Sequence, residues 1–152
     1  MIAGVRDSHS VTRTEFLVPH GKAYRRFAVA KVLVLVVDDD AQYRRAVRIA
    51  LTVRGYGVRE AAGGSEALEG TRGQDVDVIL LDWIMPGMDG EATCNAIRAA
   101  SNVPIIVVTA TDHAQEALDA GAQAVLRKPV DIDTLTARIG AILGAKGASP
   151  VN

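Results

Sequence analysis

The sequence predicts a doubly wound α/β fold in three layers, a five-stranded parallel sheet between two sets of helices, and three observations predict it. From Lys31 onward, short apolar runs rich in β-branched residues alternate with segments of helical period, the signature of βα units. Those runs are apolar at successive positions instead of alternating, as strands covered on both faces must be. The most apolar of them also stop abruptly on polar side chains. Val32-Leu33-Val34-Leu35-Val36-Val37 meets Asp38, Asp39 and Asp40, Val78-Ile79-Leu80-Leu81 meets Asp82, and Ile105 to Val108 meets Thr109.

Each element follows from its own local pattern. After the first strand, Val32 to Val37, a helix is expected from Gln42 to Arg54, with Tyr43, Ala46, Val47, Ala50 and Val53 on one face. Asp40 is placed to start it, where an acidic group favours the positive end of the helix dipole. Gly55-Tyr56-Gly57 closes that helix and turns the chain. A second strand, Val58 to Ala61, precedes a loop with Gly63 and Gly64 and a helix from Ser65 to Thr71. The third strand, Val78 to Leu81, leads through a loop containing Pro86 and Gly87 to a helix beginning near Gly90. A fourth strand, Ile105 to Val108, is followed by a helix from Asp112 to Asp119 and a weak fifth strand, Ala124 to Leu126. Lys128-Pro129 ends that strand, and Asp131 caps a last helix whose apolar face holds Ile132, Leu135, Ile139 and Ile142.

Outside this pattern lie an N-terminal extension, residues 1–30, and a tail of small residues, 144–152, both expected to be flexible. In the extension only Val11 to Val18 reads as a strand, of the edge type. The patterned domain spans residues 31–143.

Composition narrows the function classes. Charged residues make up 23% and the apolar set 49% of the chain, in the range of globular proteins. No apolar stretch reaches the ~18 residues of a membrane span, and the first residues lack a secretory core. A cytoplasmic protein with no membrane association is expected. The single cysteine, Cys94, excludes an internal disulfide framework and reads as a buried, inert thiol on a helix. Five Lys/Arg against two Asp/Glu in residues 1–30 leave the remainder acidic, so direct nucleic-acid binding is not expected. His9, His20 and His113 are isolated and read as surface or structural groups.

A parallel sheet delivers the carboxyl ends of all its strands to one rim, where open α/β folds bind ligands. Asp38, Asp39, Asp82, Thr109 and Lys128 should therefore converge there, although they are far apart in sequence. Adjacent bare carboxylates repel by about 3 to 4 kcal/mol at ~5 Å and an effective dielectric near 20. A hard divalent cation is the natural counter-charge. Three carboxylates, a hydroxyl and an ammonium suit a magnesium ion together with a phosphoryl group.

The segments Val36-Val37-Asp38-Asp39-Asp40, Leu80 to Gly90, Pro104 to Ala110, Gly121-Ala122 and Lys128-Pro129 resemble, in order and spacing, the receiver domain of two-component response regulators. The resemblance covers Lys31 to Leu143 and implies the flavodoxin-like, receiver type of fold. It implies that Asp82 accepts a phosphoryl group from a sensor histidine kinase, a phosphotransfer protein or a small phosphodonor. Asp39 and Asp82 would ligate Mg²⁺ directly, Asp38 through water, and Ile84 through its backbone carbonyl. Thr109 would hydrogen-bond a phosphoryl oxygen, and Lys128, aimed inward by a cis bond before Pro129, would neutralise developing charge. Slow autophosphatase hydrolysis would reset the switch. The chain would then be no enzyme in the usual sense but a single-domain, phosphorylation-controlled protein-interaction switch, with a downstream protein target and a possible homodimer.

Two departures from that pattern bear on output. Receiver domains usually carry Tyr or Phe three residues before the lysine, where this chain has Val125. A β-branched side chain with one stiff torsion cannot make the same swing. The stretch from Thr109 to Gly121 is also about three residues short, nearly one helical turn, so the fourth helix should be truncated, shifted or partly unwound. These features raise the alternative of a receiver-like binding module that works without phosphorylation. A haloacid-dehalogenase-like phosphatase fits less well: Asp38 and Asp40 make an Asp-x-Asp pair, but Gln42 stands where Thr or Val is needed. A flavodoxin-type flavin site would need phosphate-binding Ser, Thr and Gly where the first loop has carboxylates.

Overall fold

A computed structural model describes residues 4–6, 11–16, 24–29, 31–73 and 75–147. The chain divides into two units, Met1–Lys31 and Val32–Asn152. In the first, strands β1 (Gly4–Arg6), β2 (Val11–Phe16) and β3 (Tyr24–Val29) form an antiparallel sheet in that order. The pairing runs from Arg6 opposite Thr12 and from Phe16 opposite Tyr24. Sequence reading placed one edge strand here, at 11–18. The others escaped it because β1 is only three residues long and β3 is broken by Arg25-Arg26.

The second unit contains β4 (Leu33–Val37), α1 (Ala41–Val53), β5 (Gly57–Ala61), α2 (Gly64–Thr71), β6 (Val78–Leu81), α3 (Gly90–Ala100), β7 (Ile105–Thr109), α4 (Ala114–Asp119), β8 (Ala124–Arg127) and α5 (Ile132–Gly147). Its five strands are all parallel, in the order β5-β4-β6-β7-β8. The predicted five-stranded, doubly wound sheet is therefore the observed one. Side-chain alternation sorts the core into two layers. Leu35, Val37, Ile79, Leu81, Ile105 and Val107 pack with Ala67, Cys94, Ile97 and Ala117 of α2, α3 and α4. Val34, Val36, Val78, Leu80, Ile106 and Val108 pack with Leu51, Leu135 and Ile139 of α1 and α5. Burial on both faces explains why the strands read as unbroken apolar runs.

The helix ends bear out two caps and revise two boundaries. Asp40 caps α1, accepting from the amides of Gln42 and Tyr43 at 2.9 and 3.2 Å. Asp131 accepts from the Thr134 amide and hydroxyl at the start of α5, and those bonds hold its carboxyl below the ordinary value. Helix α4 begins at Ala114, not at Asp112, and has six residues. His113 at its start is non-helical and supplies no side-chain cap to the backbone, so the helix is short, as the compressed spacing implied. Helix α5 runs on to Gly147, past the boundary expected at Leu143. Gly144 disfavours a helix only by ~1 kcal/mol, which neighbouring helix formers override. The last residues, 148–152, lie outside the described residues.

Candidate functional site

The sheet order reverses beside β4, which has β5 on one side and β6 on the other. Such a switch point opens a crevice at the carboxyl ends of the strands. Asp38 and Asp82 stand directly beyond β4 and β6 at that crevice, held in register by amide bonds from Asp38 to the Ala61 carbonyl (3.2 Å) and from Asp82 to the Val37 carbonyl (2.9 Å). Asp38 is buried and Asp39 exposed. One carboxylate oxygen from each of Asp38, Asp39 and Asp82 lies within 4.8 Å of the others. The loop behind Asp82 is fixed by buried Trp83 and Met85, by the Gly90 amide donating to the Trp83 carbonyl at 2.8 Å, and by Asp89 capping α3 at Ala92. Gly87 takes φ +75° in that loop, a conformation open to glycine at little cost.

Lys128 follows β8 immediately, and the Lys128-Pro129 bond is cis. Its Nζ donates to Asp38 Oδ2 at 2.6 Å and lies 3.8 Å from Asp82 Oδ2. The second Asp38 oxygen accepts the Asp40 amide at 2.9 Å. Asp38 is thus committed to partners within the protein, while Asp39 is exposed and free to face an ion. Burial raises the Asp82 carboxyl pKa, Asp38 raises it further, and Lys128 and the Trp83 amide pull against that rise. A hard oxygen-rich cluster with excess negative charge matches the donor chemistry of Mg²⁺.

Thr109 ends β7, buried, and its hydroxyl is 3.0 Å from that of Thr111. Ile84 lies in the loop after Asp82 with its side chain exposed. Of the predicted site residues, Asp38, Asp39 and Asp82 are thus in mutual reach, and Lys128 bonds Asp38 and stands 3.8 Å from Asp82. Thr109 stands at the end of the adjacent strand, engaged by Thr111, and Ile84 is two residues beyond Asp82. His113 pairs with Glu116 on the surface, Nδ1 to Oε2 at 2.5 Å, whereas His9 and His20 lie outside the described residues. Cys94 is buried, donates to the Ala120 carbonyl at 3.3 Å, and has its thiol pKa pushed up by burial, which makes it a poor nucleophile.

Sequence reasoning places Tyr43 on the packing face of α1, where the ring does pack against the core, but misses its second contact: the ring centre lies 4.0 Å from Lys128 Nζ. With Asp38 and Asp82 it lines a small cleft floored by Val36, Leu80 and Val108. Burial, with Asp38 and Asp82 adding to it, pushes the phenol up to about 12, so it stays protonated at neutral pH. An aromatic in the first turn after the acidic cluster was the available signal. Arg44 was missed as well: it donates to the Asp38 carbonyl at 2.7 Å and pairs with Glu60 at 3.3 Å, tying the acidic loop to β5.

Comparison with known proteins gives one consistent result. Residues 34–140 match the family described as the response regulator receiver domain. The response regulator MprA of Mycolicibacterium vanbaalenii is 40% identical over 116 residues, covering 74% of this chain and 50% of that protein. MprA of Mycobacterium leprae is 41% identical over 114 residues, 72% of this chain and 50% of that protein. The chain therefore matches about half the length of these relatives. Among solved structures, the chemotaxis protein CheY4 of Vibrio cholerae superposes with a TM-score of 0.70 at 34% identity, covering 74% of this chain and 99% of that one. The receiver domain of the Francisella response regulator 1452 gives 0.72 at 31% identity, with 76% and 99% covered. Among the described residues, no helix is long and apolar enough to cross a membrane.

Proposed function

This chain belongs to the response regulator receiver domain family, and from that premise we propose that it is a phosphorylation-controlled protein-interaction switch whose phosphoacceptor is Asp82. The observation that carries the proposal is Lys128 Nζ lying between Asp38 and Asp82 within a cluster of three carboxylates. An Asp82 oxygen attacks the phosphorus of a phosphohistidine on a sensor kinase or phosphotransfer protein. The new P–O bond forms as the P–N bond breaks, and the imidazole departs with the electron pair. Thr109 donates its hydroxyl to a phosphoryl oxygen, and Lys128 offsets charge on the others. Asp39, Asp82 and the Ile84 carbonyl, with Asp38 through water, would hold Mg²⁺, which supplies charge neutralisation for the phosphoryl oxygens. Water later cleaves the acyl phosphate, releasing inorganic phosphate and restoring the carboxylate.

Such a switch acts through a protein target, and the reading extends to a target in the cytoplasm. The second reading, a binding module that works without phosphorylation, draws support from half-buried Val125 on β8, in place of the aromatic side chain usual there. Radiolabel from a small phosphodonor separates the two. Mg²⁺-dependent incorporation that disappears in Asp82→Asn supports the switch. A wild-type protein that takes up no label supports the module.

A further inference from the structure

Lys128 has two kinds of partner. Its ammonium lies 2.6 Å from Asp38 and 3.8 Å from Asp82, and 4.0 Å from the centre of the Tyr43 ring, over its face. An aromatic face attracts a cation through its quadrupole, more strongly when water is excluded. Water is largely excluded here: the lysine side chain is only 20% exposed, and the ring is half-buried against the core beneath α1. Lysine has a flexible four-carbon stem and no fixed donor geometry. Contacts with Asp38 and with the Tyr43 ring restrict that stem, so the ammonium is already held 3.8 Å from Asp82 before any phosphoryl group arrives. Preorganised charge of this kind acts without reorganisation during the reaction.

We propose that Tyr43 is a positioning residue for phosphoryl transfer, acting through Lys128 by the electron-rich face of its ring. The inference rests on the reading of Asp82 as phosphoacceptor. The phenol oxygen is not needed, because the contact is made by the ring face, and the group acts without changing its protonation state. Tyr43 is also the aromatic group placed against the lysine in a chain that has Val125 on β8.

The test uses the full chain with Tyr43 replaced by Leu, by Phe and by 3,4,5-trifluorophenylalanine, the last close to Phe in shape but with an electron-poor face. Two readouts are taken: the initial rate of labelling by a small phosphodonor at saturating Mg²⁺, and the NMR shift of the Lys128 ε-methylene protons. The proposal expects a rate loss of about fivefold in Tyr43→Leu, recovery in Phe, and a loss like that of Leu in the trifluoro variant. Lys128 ε-protons should be shielded by the ring in the wild type and Phe variant and unshielded in Leu. The fluorinated variant keeps the ring shape that Leu removes, and a trifluoro variant as fast as Phe overturns the proposal, since the ring then acts as filler. Equal rates in all four proteins overturn it too. If the wild type shows shielded Lys128 protons but takes no label, the phosphoacceptor reading fails and the positioning role falls with it. If it labels normally but its Lys128 protons are unshielded, only the role of Tyr43 fails.

Discussion

Replacing Lys128 by Met removes the one cation that, among the described residues, contacts the buried carboxylate of Asp38. The Nζ distances of 2.6 Å to Asp38 and 3.8 Å to Asp82 correspond to gross attractions of about 6 and about 4 kcal/mol at an effective dielectric near 20. Most of that is offset by the cost of withdrawing both ions from water, the Asp38 side chain being 3% exposed. Truncation exposes what the offset conceals, because Asp38 stays buried and loses its partner. Breaking a buried pair in this way costs roughly 3 to 5 kcal/mol. The expected loss is about 3 kcal/mol, or a fall of about 10 °C in Tm for a domain of this size. Met keeps the apolar stem, so packing changes little. Urea unfolding in EDTA measures the loss, and in saturating Mg²⁺ the gap from wild type should narrow, since a cation bound only to the native state supplies the missing charge. Adding Asp38→Asn should recover most of the loss, making the double-mutant cycle strongly non-additive. A Lys128→Met protein within about 0.5 kcal/mol of wild type in EDTA, the range of a neutral surface substitution, would refute the reasoning.

Asp82→Asn should stabilise the metal-free protein and flatten its pH dependence. The Asp82 carboxyl is raised above the ordinary 3.8 by burial first and Asp38 next. As pH rises from 3.8, the unfolded chain loses its proton while the folded chain keeps it, so the folded state binds more protons and stability falls until the raised folded-state pKa is passed. Urea midpoints across that window in EDTA should show the decline in wild type and not in the variant; identical profiles would show that Asp82 carries no such strain. Gly90→Ala tests the scaffold of the site. A Cβ there would lie 2.5 Å from the Trp83 Cα and 2.8 Å from the Asp82 and Trp83 carbonyl oxygens, backbone atoms that cannot swing aside. A loss of about 2 kcal/mol is expected from such overpacking, and an unchanged urea midpoint would contradict it.

The sheet and the acidic rim were legible because both are local properties of sequence. Strands such as Val78–Leu81, buried at every position, announce themselves as apolar runs, and a carboxylate abutting such a run has to lie at its end. What escaped depends on contacts between distant segments. Tyr43 satisfies the helical period of α1 whether its ring packs on Val36 or under Lys128, and only the path of β8 decides. The hydroxyl partnership of Thr109 with Thr111 likewise depends on how the loop after β7 folds back. The antiparallel strands of the N-terminal unit were partly hidden because pairing such as Arg13 with Phe27 depends on a partner strand and leaves no apolar run.

Charge counting at the rim shows what the proposed phosphorylation of Asp82 would change there. Asp38, Asp39, Asp82 and Lys128 sum to a formal charge of about −2 when all are ionised, in a crevice that already raises the Asp82 pKa. Esterifying Asp82 replaces its single charge by that of a phosphoryl group, about −1.5 to −2, so the rim becomes more negative. The added charge has to draw in a cation or capture the ammonium now bound to Asp38. Lys128 then faces two competing anions, and the 2.6 Å contact with Asp38 is what the phosphoryl oxygens must outbid.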